Sequence, residues 1–196
     1  EMSRYDGRVH ASWNTTGTRT GRFSCSNPNL QQVTRPEPEE PRSYLPRRVY
    51  VADRGGCIYV FDLDQIEMRG FAHYTGDPAL IDTFHCGDDV YSQVAAWVFG
   101  GSRSDHPKGT PTRYQGKVTA LAIIFGASGK RVGAMTGNSD RRGYEILDTF
   151  WAQSPRSKRF VDEVRRRFRE RGYVVTSFGR HERGRPDEDY KSVNKL

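Results

Sequence analysis

The chain has 196 residues, 35% hydrophobic and 28% charged, with a formal net charge of +7 and a pI near 9.5. That length and composition allow one domain of ordinary size, or one and a half small ones, and the basic balance favours an anionic partner, nucleic acid or an acidic membrane surface. No apolar stretch approaches the roughly 20 residues of a membrane span. No secretory leader is visible, and Cys25, Cys57 and Cys86 are odd in number and too scattered for a disulfide framework or a zinc site, so they read as reduced thiols.

Residues 1–35 are rich in Thr, Ser, Asn and Arg and read as strand and turn. "RPEPEEPRSYLP" at 35–46 holds four prolines in twelve residues, so it reads as a loop. Val49–Ala52 and Ile58–Phe61, apolar runs separated by a Gly-Gly turn, predict a hairpin. After Asp62 the period becomes helical: Ile66, Gly70, Phe71 and Tyr74 predict a helix ending near Gly76. "DPALIDTF" predicts another, with Asp77 as N-cap and Pro78 in its first turn. "DDVYSQVAAWVFG", "TPTRYQGKVTALAIIFG", "SDRRGYEILDTFWAQ" and "SPRSKRFVDEVRRRFRERG" supply four more, and in the last Phe160, Val164 and Phe168 form an apolar stripe. "YVVTSFGRHERG" returns to strand and turn. Strands, then about six helices, then a strand argue an α+β class with a helical subdomain inserted into a small antiparallel sheet.

Two constellations carry chemistry. Asp62, Asp64 and Glu67 crowd directly after the apolar run Cys57–Phe61. Gathered carboxylates become tolerable around a divalent cation, and hard oxygen donors select magnesium; an acidic helix start stabilised by its dipole explains them equally well. Arg113, Lys117, Leu121 and Phe125 recur at intervals of four along one predicted helix. Such a row suits a triphosphate at its basic end and a base or sugar at its apolar end; burial of its aliphatic side in the core is the alternative. His85–Cys86 has no further ligand at metal spacing.

Read as whole segments, these residues resemble a known family. "DLDQIEMRGFAHYTGDPALIDTF" is similar to motif A of the family A (polymerase I type) DNA polymerases, and "RYQGKVTALAIIFGAS" to their motif B. "TGTRTGRFSCSNPNLQQV" resembles their primer–template element and "RGYVVTSFGRHERGRP" their G-Y-V-x-T-x-x-G-R-R-R stretch. The order and spacing agree across nearly the whole chain. The resemblance implies a partial palm over 1–74 including motif A, helical fingers over 75–171 including motif B, and a return to the palm over 172–196.

It also implies roles. Asp62 would bind both ions of a magnesium pair, with the carbonyl of Leu63 beside it, and Asp62 and Lys117 would be the catalytic residues. Gln65, Glu67, Tyr91, Arg113, Lys117, Leu121 and Phe125 would handle the incoming dNTP: Glu67 as a block to a ribose 2′-hydroxyl, Arg113 and Lys117 on the triphosphate, Lys117 as proton donor to pyrophosphate, and Phe125 at the nascent pair. Arg22, Asn29 and Gln31 would contact primer–template DNA, and Arg180 its template side. The expected activity is template-directed nucleotidyl transfer to a primer 3′-hydroxyl in the cytoplasm of a bacterial or virus-infected cell, an organelle being a further setting, with no membrane partner.

The sequence departs from the family pattern at Asp64, Leu121, Phe125 and Tyr91, which stand where a small polar residue, an aromatic, a tyrosine and a histidine are usual. Motif C, a His-Asp-Glu hairpin with the second metal aspartate, does not occur within residues 1–196. The chain therefore reads as a piece of a polymerase, inactive by itself; a split polymerase completed by a second polypeptide and a non-catalytic nucleic-acid-binding derivative are the alternatives. "FGASGKR" lacks the first glycine and the Ser/Thr of a P-loop, so nucleotide hydrolysis of that type is set aside. The segment 154–171 carries eight Lys/Arg against three Asp/Glu, a solvated face or an added phosphate attraction.

Overall fold

The computed structural model describes residues 6–18, 20–34, 40, 42 and 45–185. It is mostly helical with two small antiparallel sheets, and it divides into two compact units, Glu1–Asp62 and Leu63–Leu196.

In the first unit, β1 (Ser12–Asn14) pairs antiparallel with β2 (Ser24–Ser26), Trp13 opposite Cys25. Cys25 is buried, and its sulfur accepts from the Leu30 amide at 3.4 Å, tying the sheet to a 3₁₀ turn at Leu30–Gln32. A short helix, α1 (Leu45–Arg48), follows. Most of the predicted proline-rich loop lies outside the described residues.

The predicted hairpin of Val49–Ala52 and Ile58–Phe61 does not form. Its turn is present, closed by Gly56 N–H donating to the Asp53 carbonyl at 2.8 Å, but residues 50–63 hold no strand ladder. Tyr59 and Phe61 still stack at 6.4 Å, as alternate residues of an extended chain do. Phe61 is nevertheless 87% exposed. Two strands with no apolar layer against either face are marginal in water, and β propensity is realised only against a packed surface.

The second unit opens with α2 (Ile66–Thr75) and continues through α3 (Pro78–His85), α4 (Val90–Phe99), α5 (Pro111–Ile124), α6 (Gly129–Thr136), α7 (Asp140–Gln153) and α8 (Pro155–Arg171). Local chemistry sets the starts: the side chains of Asp77, Asp89, Thr110, Ser128 and Ser139 each accept a hydrogen bond from a first-turn amide. The α8 start is different. Its own N-cap, Ser154, makes no side-chain cap bond, and Asp77 performs the task from a distance. One oxygen of Asp77 accepts from Ala79 N–H at 3.2 Å, and the other accepts from Ser157 N–H at 2.8 Å. Arg156 donates to the Gly76 carbonyl at 3.0 Å beside it.

The core is shared by α2, α3, α4, α5, α6, α7 and α8, through Met68, Leu80, Val94, Ile123, Val132, Phe150 and Val161 among others. The predicted stripe on α8 buries Val164 and Phe168 against Val174, with Phe160 half-buried between this smaller cluster and the main one. Val174 lies on β3 (Tyr173–Val175), which pairs antiparallel with β4 (His181–Arg183). The helix α6, which the sequence reading did not foresee, occupies "GKRVGAMT". Its companion is α7, and the two approach so closely that a Cβ on Gly143 would sit 2.0 Å from the Gly129 carbonyl oxygen. No described helix is long and apolar enough to cross a membrane.

Candidate functional site

The predicted nucleotide residues of the second unit gather where α4 begins and α5 runs past it. Gly116 permits the crossing: a Cβ there would lie 2.5 Å from the Tyr91 carbonyl oxygen and 2.9 Å from Ala95 Cβ. Tyr91 is consequently buried, only 3% exposed, with its ring beneath both basic residues of α5. The Arg113 guanidinium lies 4.9 Å from the ring centroid and Lys117 Nζ 5.9 Å, both within cation–π range.

Asp89 organises this corner. It accepts from the amides of Tyr91 and Ser92 at 2.9 Å each, and from Arg113 through Nη2 at 2.7 Å and Nε at 3.3 Å. Burial alone would raise its carboxyl, but the Arg113 hydrogen bond and then the Ser92 amide outweigh that and hold it below the usual carboxylate range. The phenol of Tyr91 is pushed up to about 12, first by burial and then by the negative charge of Glu67. Gln65 reaches the same corner from the start of α2, its side-chain oxygen accepting from Val90 N–H at 3.2 Å. Behind them, His106 locks the α4–α5 connection: its ring nitrogens lie 2.9 Å from Thr112 Oγ1 and 2.9 Å from the Gly100 carbonyl, while its own carbonyl accepts from Ser92 Oγ at 2.6 Å.

Thus Gln65, Tyr91, Arg113 and Lys117 are brought together, with Glu67 near enough to perturb the phenol. The other end of the predicted row behaves differently. Leu121 packs against the core, and Phe125, 42% exposed, follows the last helical residue as the C-cap of α5. Asp62 is exposed at the end of the first unit and Leu63 is exposed at the start of the second. Among the described residues no group of three or more His, Cys, Asp or Glu side chains is placed to hold a metal. Of the predicted DNA residues, Arg22 is exposed, Asn29 caps the 3₁₀ turn by accepting from Gln31 N–H at 3.0 Å, and the Gln31 amide donates to the Phe23 carbonyl at 3.0 Å. Arg180, in the β3–β4 turn, pairs with the buried carboxylate of Glu182 at 2.5 Å. In the sequence Asp89 is only a residue at the start of the predicted helix "DDVYSQVAAWVFG"; an N-cap that also meets an arginine in space is invisible until α5 is placed.

The family model of DNA polymerase family A matches residues 1–194. The chain belongs to that family.

Among its family A relatives, the thermostable DNA polymerase I of Thermus thermophilus is 34% identical over 176 residues, which cover 89% of this chain and 20% of that protein. The DNA polymerase I of Chloroflexus aurantiacus is 35% identical over 174 residues, covering 89% of this chain and 18% of that one. That of Caldicellulosiruptor bescii is 34% identical over 194 residues, covering 96% and 21%. The chain therefore spans 18–21% of the length of these relatives. The solved polymerase domain of Pol1 from M. smegmatis, in complex with DNA primer-template and dNTP, matches with a TM-score of 0.82 at 26% identity, over 97% of this chain and 35% of that one.

Proposed function

We propose that the chain is part of a template-directed DNA polymerase, a nucleotidyltransferase that adds dNTPs to a primer 3′-hydroxyl, and that it carries the nucleotide grip and one metal aspartate. The observation that carries this reading is the convergence of Arg113 and Lys117 over the Tyr91 ring at the head of α4. Two cations backed by a buried aromatic suit a polyphosphate, and phosphoryl transfer asks a protein mainly for positioning and charge stabilisation. The likeness to a polymerase domain bound to primer-template and dNTP supports the same ligands here. In this reading residues 1–74 and 172–196 belong to a palm and 75–171 to fingers.

The donors in this chain suit magnesium as a partial set. The Asp62 carboxylate and the Leu63 carbonyl are hard oxygens, and magnesium takes few protein ligands when phosphates and waters complete its shell. A second aspartate would come from motif C, carried elsewhere in the polymerase or on a second polypeptide. When bound, the metal pair supplies the charge that activates the primer hydroxyl and stabilises the departing oxygen.

Within the chain, Arg113 and Lys117 would hold the triphosphate, and Lys117 would protonate pyrophosphate. Glu67 would restrict the sugar, with Gln65, Leu121 and Phe125 lining the remaining contacts. Arg22, Asn29, Gln31 and Arg180 would hold the DNA. In the complete polymerase, Asp62→Ala is expected to lower primer extension by about a thousandfold while DNA affinity in a gel shift stays within about threefold. Extension at the wild-type rate would end the metal assignment.

A further inference from the structure

We infer that Asp89 is a positioning residue for nucleotide binding, clamping Arg113 so that the unused end of its guanidinium faces the triphosphate. This rests on the proposed role of Arg113. The geometry is specific. Asp89 takes the Nε and Nη2 side of the guanidinium, at 3.3 and 2.7 Å, which occupies two of the group's five N–H donors. The three on the Nη1 end and the outer side of Nη2 remain for a second anion. The Tyr91 ring, 4.9 Å away, covers one face and fixes the plane.

The carboxylate is itself held. Oδ1 accepts the amides of Tyr91 and Ser92 at 2.9 Å, so Asp89 cannot follow Arg113 without uncapping α4. Side-chain exposures of 13% for Arg113 and 25% for Asp89 keep the pair partly out of water. A side chain as long as arginine otherwise samples many rotamers, and a bidentate clamp removes that freedom before the ligand arrives. The alternative geometry, in which Asp89 competes with phosphate for the same N–H groups, predicts the opposite effect of removing its charge.

The experiment uses the complete polymerase. Asp89→Asn keeps the α4 cap, since asparagine caps as well as aspartate, but it loses the second acceptor oxygen and the charge. Its expected effect is a dNTP KM raised about tenfold, with kcat and primer–template affinity within about threefold and a melting temperature lowered less than by Asp89→Ala. Arg113→Lys should raise the KM similarly, and Asp89→Asn combined with Arg113→Lys should add nothing further, because both remove one oriented guanidinium. Asp89→Ala, which also loses the cap, reports the structural contribution through its melting temperature. If Arg113→Ala leaves the KM unchanged, the reading of Arg113 as a nucleotide ligand fails. If Arg113→Ala raises it but Asp89→Asn leaves or lowers it, the clamp alone is overturned.

Discussion

Tyr91 shows how one residue ties the helix crossing to the charge around it. Its phenol is pushed from 10 to about 12, burial being the first cause and the charge of Glu67 the second. A group whose folded-state value lies above its unfolded one loses stability as pH rises between the two, because the unfolded chain releases the proton first. The window is therefore pH 10 to about 12. Tyr91→Phe keeps the ring beneath Arg113 and Lys117 but has no proton to lose. Its urea midpoint is expected to fall less steeply than that of the wild type across this window. Parallel pH profiles would mean that the buried phenol ionises freely. At this scale the sequence was informative about identity and silent about environment: "RYQGK" marks Arg113 and Lys117, but only the α4–α5 crossing at Gly116 shows that both sit over Tyr91 and that Asp89 holds the first of them.

Elements were legible where a single local rule decides them. Asp77–Pro78 and the glycines after α2 and α8 mark helix ends by chemistry that needs no partner, and each appears where expected; Thr110–Pro111 starts α5 by the same chemistry. Two elements needed context. The helix α6 carries two glycines and stops at a third in "GKRVGAMTG", a composition of low helix propensity; what makes it helical is the α7 face it packs on, where Gly129, Gly133 and Gly143 allow backbones to touch. The runs at 49–61 erred the other way, with strand propensity in place but no covering layer. Asp77 gives the element-scale prediction. It is 0% exposed and serves the first turns of both α3 and α8, the Ser157 amide lying 80 residues further along the chain. Asp77→Ala should cost about 1 kcal/mol at each helix start. Amide exchange should quicken at Ala79 and at Ser157 together, and Asp77→Asn, which offers one acceptor, should protect only one of the two. A change confined to α3 would show that α8 starts without its remote cap.

For the molecule as a whole, a net charge of +7 invites the view that any cation contributes equally to nucleic-acid binding. The pairing pattern argues otherwise. On α8, Lys158 binds Asp162 at 2.6 Å, Arg166 binds Glu163 at 2.8 Å and Glu170 at 2.7 Å, and Arg167 binds Glu163 at 2.5 Å. These exposed pairs add little stability, but Glu163 and Glu170 together engage all three nitrogens of Arg166, so that, unlike Arg113, it keeps no uncommitted nitrogen for a phosphate. On α8, Lys158, Arg166 and Arg167 are thus committed within the helix itself. Arg22, exposed beside β2, has no ion-pair partner among the described residues. Each phosphate contact steepens the fall of log affinity with log salt by about one. In the complete polymerase, Arg22→Ala should lower that slope by about one, equally for unrelated DNA sequences and with the dNTP KM unchanged, whereas Arg166→Ala should leave it nearly as it was. Equal losses from the two substitutions would mean that bulk charge, and not the placement of cations, holds the DNA.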